Sequence, residues 1–201
     1  MHAPILINGE TILDSDRLRE VRNPANHNEL VGQFMSGEPA DADAAVAAAN
    51  SAHRHWSSTT AAERAELLLS AAAEIEENNA ERAELLTREH GKPLPEASHD
   101  VGGAPKILRY YADLAERFDE PHVTEDDLGR IVRRLHPMGP MAIIVPWNAP
   151  VYLAYLMIAP ALLAGNSVVV KPPSYTPLAL SDTLAVLASQ LPDGVVNVVP
   201  G

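Results

Sequence analysis

Met141-Ala-Ile-Ile-Val145-Pro146-Trp147-Asn148, Val168-Val-Val170-Lys171-Pro172-Pro173-Ser174 and Val195-Val-Asn-Val-Val199-Pro200-Gly201 are three short apolar runs, each closed by proline or glycine. β-branched residues dominate them, as expected of strands buried on both faces. The segments between them are apolar and long enough for crossover helices. The simplest arrangement is therefore β-α-β-α-β with parallel strands. Right-handed crossovers bring the loops that follow such strands to one rim of the sheet. Trp147-Asn148, Lys171 to Ser174 and Gly201 fall on that rim, and function is expected there.

Upstream, Arg130-Ile-Val-Arg-Arg-Leu-His136 alternates like an edge or hairpin strand whose arginines manage exposure. The acidic stretch from Asp119 to Gly129 reads as a turn and a boundary. Before it, one helix is expected from Glu96 to Phe118, presenting Val101, Ile107, Leu108, Tyr111 and Leu114. A further helix runs through Leu85 and Leu86 and closes at Gly91, with Pro93 beyond. Thr60-Ala-Ala-Glu63 is a capping box opening a helix with Leu67, Leu68, Ala71 and Ile75 inward. Asp41 is expected to begin an Ala-rich helix to Trp56, with Val46, Ala49 and His53 on one face. Near the N-terminus, Ile5-Leu-Ile-Asn8-Gly9-Glu10 is a hairpin signal, and Val21 to Gly32 holds another turn between short strands. The fold class is α/β: a helical N-terminal layer plus the first three strands of a Rossmann-like parallel sheet, an incomplete domain. The expected division is residues 1–128 (hairpins and helices), 129–138 (edge strand) and 139–201 (sheet).

Composition narrows the function. The 201 residues carry 15 Lys and Arg against 27 Asp and Glu, a formal charge of −12. That balance disfavours nucleic acid or an anionic membrane as partner. There is no cysteine, hence no disulfide, thiolate metal site or thiol nucleophile within these residues. The first residues lack a basic-then-apolar leader and the longest apolar stretch is too short for a bilayer, so a soluble, cytoplasmic protein is expected. His53 and His55 point to different helix faces, and no metal site is expected.

Three rim residues can carry chemistry. Asn148 before Pro150 can cap a helix, or can hold its amide toward a developing oxyanion. Lys171 can snorkel to the sheet rim, or contact a ribose or phosphate. Trp147 is ordinarily a packing residue.

Taken together, Pro146-Trp147-Asn148, Pro160 to Asn166, Val170 to Pro177 and Gly194 to Gly201 closely resemble the NAD(P)-dependent aldehyde dehydrogenase superfamily. Glu89-His-Gly91-Lys92-Pro93 and Ile7-Asn8-Gly9 are similar to the N-terminal half of that family. The resemblance implies that Asn148 donates to the carbonyl oxygen of the aldehyde and of the thiohemiacetal. It implies that Lys171 bonds the adenosine ribose, and that Val145, Pro146, Trp147, Pro173 and Ser174 line the cofactor cleft with Gly201 beside the adenine. Many members carry Glu where this chain has Ser174, and that carboxylate would repel a 2′-phosphate. NAD or NADP is thus the expected cofactor, with NADP tolerated or preferred. An aldehyde is the implied substrate, and a homo-dimer or tetramer through the 130–136 strand the implied assembly.

The family's catalytic cysteine and general-base glutamate do not fall within these residues, so the chain alone is expected to be inactive. It is also expected to leave its third sheet strand with an open edge. The alternative to part of a dehydrogenase is a non-catalytic nucleotide-binding or subunit-docking module.

Overall fold

A computed structural model describes residues 1–201. In chain order the strands and helices are β1 (His2–Ala3), β2 (Ile5–Ile7), β3 (Glu10–Ile12), β4 (Leu18–Asn23), β5 (Asn26–Met35), α1 (Pro39–Trp56), α2 (Ala61–Glu77), α3 (Asn79–His90), α4 (Leu94–Val101), α5 (Gly103–Ala112), α6 (Glu116–Asp119), β6 (His122–Asp126), β7 (Gly129–Arg133), β8 (Met141–Ile144), α7 (Pro150–Leu163), β9 (Val168–Lys171), α8 (Leu178–Ser189) and β10 (Val196–Val198).

The three apolar runs become β8, β9 and β10, parallel and adjacent, with α7 and α8 as the crossovers. Residue alternation decides which helix each face meets. Ile143, Val168, Val170, Val196 and Val198 face Ile158, Leu162, Leu184 and Leu187 of α7 and α8 in the main core. Val169 and Val199 turn to the opposite face, with Ile5, Ile7, Met35 and Ala45 of α1. Each aliphatic side chain so buried contributes about 1.5–3 kcal/mol.

The expected open edge at β10 is absent. The Asn8-Gly9 hairpin forms (φ +53° and +78°), and its strand β2 pairs antiparallel with β10, Val198 opposite Leu6. The sheet is thus five-stranded, in the order β3-β2-β10-β9-β8. Buried Asn197 locks the hairpin: its Oδ1 accepts from the Asn8 N–H at 3.0 Å and its amide donates to the Gly194 carbonyl at 2.7 Å. Gly9 sits at φ +78°, a conformation that strains any residue with a Cβ.

Several other expectations are corrected. Burial on both faces holds for β10 but fails for β8, where Ile144 is 73% exposed because α1 does not reach that edge. The expected helix from Glu96 to Phe118 is three helices, α4, α5 and α6, with Gly102 separating α4 from α5. Glycine lowers the cost of interrupting a helix, and the break lets α4 and α5 pack separately on α7. Helix α1 begins at Pro39 rather than Asp41, because Glu38 and Asp41 form its capping box. Its buried face is Ala45, Ala49 and Trp56, while Val46 lies outward. The acidic stretch contains β6, which pairs with β7 in a hairpin turning at residues 127–128. Every residue of that hairpin's strands is exposed.

Elsewhere the local signals match. The Thr60–Glu63 capping box is reciprocal, α3 closes on left-handed Gly91 (φ +86°), and β4 and β5 form the second hairpin.

Candidate functional site

Two loops and one strand end build the rim. In the β8–β9 register Ile144 stands opposite Lys171, and the Val145 N–H donates to the Lys171 carbonyl at 3.1 Å. The exits of β8 and β9 therefore lie side by side, bringing the Trp147-Asn148 loop and the Lys171–Ser174 loop to the same edge. In the opposite register direction, the Val199 N–H donates to the Val170 carbonyl at 2.9 Å, which carries Gly201 to this edge too. All the residues expected at the site thus share one rim.

The side chains differ in what they meet. Lys171 Nζ and Ser174 Oγ both donate to the Gly201 carbonyl oxygen, Ser174 at 2.8 Å. Lys171 forms no ion pair with an Asp or Glu. Two donors aimed at one oxygen, one of them a cation with no carboxylate side chain against it, suit a ribose hydroxyl or a phosphate oxygen. Val145 and Pro173 are buried and can offer only backbone, whereas Pro146 and Trp147 are open to solvent. Trp147, 57% exposed, leans on the His90 ring with centroids 5.9 Å apart.

Asn148 is exposed and its side chain bonds to no group in the chain. Its capping alternative is not realised: Ala149 is the N-cap of α7 and makes no side-chain cap. The cap comes from a residue that sequence reasoning missed. Asp100 of α4 is buried, and its Oδ1 accepts the Tyr152 N–H at 2.7 Å. Its Oδ2 pairs with Lys92 Nζ at 2.6 Å, and the same ammonium donates to the Asn148 carbonyl at 2.9 Å. Lys92 therefore bridges the helical layer to the backbone of the loop that carries the free amide. The Asn148 side chain stays unengaged, while its backbone is held.

The next loop has a parallel device. Glu89, at the end of α3, accepts the Leu178 N–H at 2.8 Å and the Ala179 N–H at 2.9 Å, closing the N-terminus of α8. Burial pushes its carboxyl up to about 8; the two amides pull the other way, and nearby Asp100 raises it further. His90 is lowered from its ordinary value, first by burial and then by the Lys92 charge. Thr176 Oγ1 donates to the Trp147 carbonyl at 3.4 Å, tying the two site loops together. No local signal marks Asp100, because its two partners lie eight residues before it and fifty-two after.

Comparison with known proteins identifies relatives of this chain. A profile described as the aldehyde dehydrogenase family matches residues 12–201. The chain is 38% identical over 199 residues to the alpha-ketoglutaric semialdehyde dehydrogenase of Bacillus subtilis (strain 168), covering 97% of this chain and 41% of that protein. Among solved structures, an E. coli NADP dependent enzyme superposes with a TM-score of 0.92 at 32% identity, over all of this chain and 42% of its own. PnpE in complex with nicotinamide adenine dinucleotide superposes with a TM-score of 0.90 at 36% identity, again over all of this chain and 42% of its own. The chain thus spans about two fifths of the length of the relatives it matches.

Proposed function

The chain belongs to the aldehyde dehydrogenase family, and on that premise we propose that its rim supplies the oxyanion donor and part of the nicotinamide-nucleotide site of an NAD(P)-dependent aldehyde oxidation. One observation carries the reading: β8 and β9 exit side by side, bringing an unengaged amide, Asn148, and the ammonium of Lys171, which pairs with no Asp or Glu, to one edge. The nucleotide, when bound, accepts the hydride. The residues here hold and orient. Lys171 and Ser174 offer donors to ribose or phosphate oxygens, and Pro146 and Trp147 form the exposed wall beside them. Asn148 stabilises negative charge developing on the aldehyde oxygen, and Lys92 keeps its backbone in place. An amide already fixed by the fold costs little reorganisation when charge develops, which is the basis of oxyanion stabilisation. These 201 residues hold no cysteine, so the attacking thiolate is not among them.

In the active enzyme containing these residues, Asn148→Ala lowers kcat by about 10²–10³ with a small change in KM. A loss smaller than about fivefold in steady-state kinetics removes Asn148 from the oxyanion role.

NADP is used as well as or better than NAD. Ser174 puts no carboxylate where a 2′-phosphate would sit, and Lys171 has no competing acid partner. Calorimetric titration of both nucleotides checks this, and strong selectivity for NAD overturns it. The all-exposed β6–β7 hairpin, with Ile131 60% and Leu128 97% open to solvent, is the proposed contact between subunits of a dimer or tetramer. The chain has no helix long and apolar enough to cross a membrane.

A further inference from the structure

The loop from Pro172 to Pro177 joins β9 to α8 and carries Ser174. Pro172, Pro173 and Pro177 make up half of it, and each fixes its own φ, so the loop has few torsions left to set. Ser174 and Tyr175 are exposed, while the rest of the loop is buried. Such a loop is placed by its two ends. The sheet sets the first end, where the Lys171 carbonyl accepts the Val145 N–H at 3.1 Å.

The second end has no local closure. Pro177 is the N-cap of α8 and offers no side-chain acceptor. The loop's Ser and Thr hydroxyls point elsewhere: Ser174 Oγ donates to the Gly201 carbonyl and Thr176 Oγ1 to the Trp147 carbonyl. The Leu178 and Ala179 N–H groups donate instead to the two oxygens of Glu89, Oε2 at 2.8 Å and Oε1 at 2.9 Å. Glu89 is 3% exposed and pairs with no cation. One carboxyl group spanning two consecutive amides fixes their direction, and leaving those buried amides without an acceptor is costly. The Leu178 side chain holds the same point, packed with Ala3, Val21, Val31 and Phe34.

The helical layer thus sends a different acid to each site loop. Asp100 and Lys92 grip the Asn148 loop through the Tyr152 N–H and the Asn148 carbonyl. Glu89 bonds to neither group. The hydrogen bond from Thr176 to Trp147, which joins the two loops, is long at 3.4 Å.

We propose that Glu89 is a positioning residue for the nucleotide: by closing the N-terminus of α8 it holds the Pro172–Pro177 loop in the shape that presents Ser174 beside Lys171. Glu89 therefore sets nucleotide affinity, while the Lys92–Asp100 pair serves the chemistry at Asn148. This rests on the nucleotide reading of Lys171 and Ser174 and deepens it. A loop already ordered in its bound shape binds without the cost of ordering, and a loosened one binds more weakly. Once nucleotide is saturating, the oxyanion donor is in place in either case.

Two measurements test this. In the active enzyme containing these residues, Glu89→Ala is expected to raise the Kd of NAD and of NADP by about tenfold or more. Its kcat at saturating nucleotide stays within about threefold. Glu89→Gln keeps an acceptor oxygen and is expected to recover part of the lost affinity. Asp100→Asn is the reciprocal variant, in which kcat falls by a larger factor than nucleotide affinity changes. A Kd within about twofold of wild type in Glu89→Ala, or kcat and affinity lost alike in both variants, overturns the assignment and leaves the nucleotide reading standing. A wild-type enzyme that binds neither nucleotide overturns the nucleotide reading itself, and this role with it. The second measurement needs no variant: hydrogen exchange on the nucleotide-free wild-type enzyme. The Leu178 and Ala179 amides are expected to be protected before any nucleotide is added. Rapid exchange at both, slowed only by nucleotide, overturns the role.

Discussion

Helices α7 and α8 each follow a site loop, and each receives a buried carboxylate from the helical layer at its first turn. At α7 the acid is Asp100, and Lys92 pairs with it at 2.6 Å. At α8 the acid is Glu89, which accepts two backbone amides and has no cation against it. Both carboxylates cap a first turn, Asp100 through one amide with a cation beside it and Glu89 through two amides with none. A buried carboxylate near a helix N-terminus gains from the dipole and the orphan N–H groups, typically about 0.3–2 kcal/mol. That gain does not offset full desolvation, so the uncompensated Glu89 is raised to about 8. The pair at α7 holds the loop that presents Asn148 through the bond from Lys92 to the Asn148 carbonyl. The cap at α8 titrates at about pH 8.

The comparison breaks most readily at Asp100. Asp100→Asn keeps a carbonyl for the Tyr152 N–H but leaves Lys92 buried without its partner. Breaking a buried pair costs about 3–5 kcal/mol, and denaturant unfolding should register a loss near the lower figure. A loss under about 1 kcal/mol would mean that water reaches Lys92 freely and that the loop is not held by this pair.

A smaller effect sharpens the contrast. Glu89 is raised from an ordinary 4.5 to about 8, so between those values the folded chain binds more protons than the unfolded one. Stability contributed by this group is therefore complete below about 4.5 and is lost as pH rises through about 8. Thermal unfolding should show Tm lower at alkaline than at mildly acidic pH by roughly 2–4 °C per kcal/mol of this loss. Glu89→Gln should lower Tm at acidic pH and flatten the slope across this window. A slope that persists unchanged in the variant assigns it to other groups.

Caps also show how much was readable beforehand. The Thr60–Glu63 box was legible because donor and acceptor lie three residues apart, so local geometry decides it. The Asp100 and Glu89 caps were not, because their partners stand 52 and 89 residues away. Two hairpins repeat the lesson. Asn8-Gly9 dictated a turn, and the turn formed. Nothing local said that β2 would dock on β10 through Asn197, or that β6–β7 would stand fully exposed.

The chain's own order of residues determined three parallel strands, their crossover helices and a rim bearing Asn148, Lys171 and Ser174. Those follow from β-branched runs, proline and glycine stops and crossover handedness, all properties of short stretches. Only the tertiary structure decided what closes the sheet at β10 and what holds the Asn148 loop. Each of these depends on which distant segment arrives at a given surface, and that is set by the packing of the whole core rather than by any local pattern.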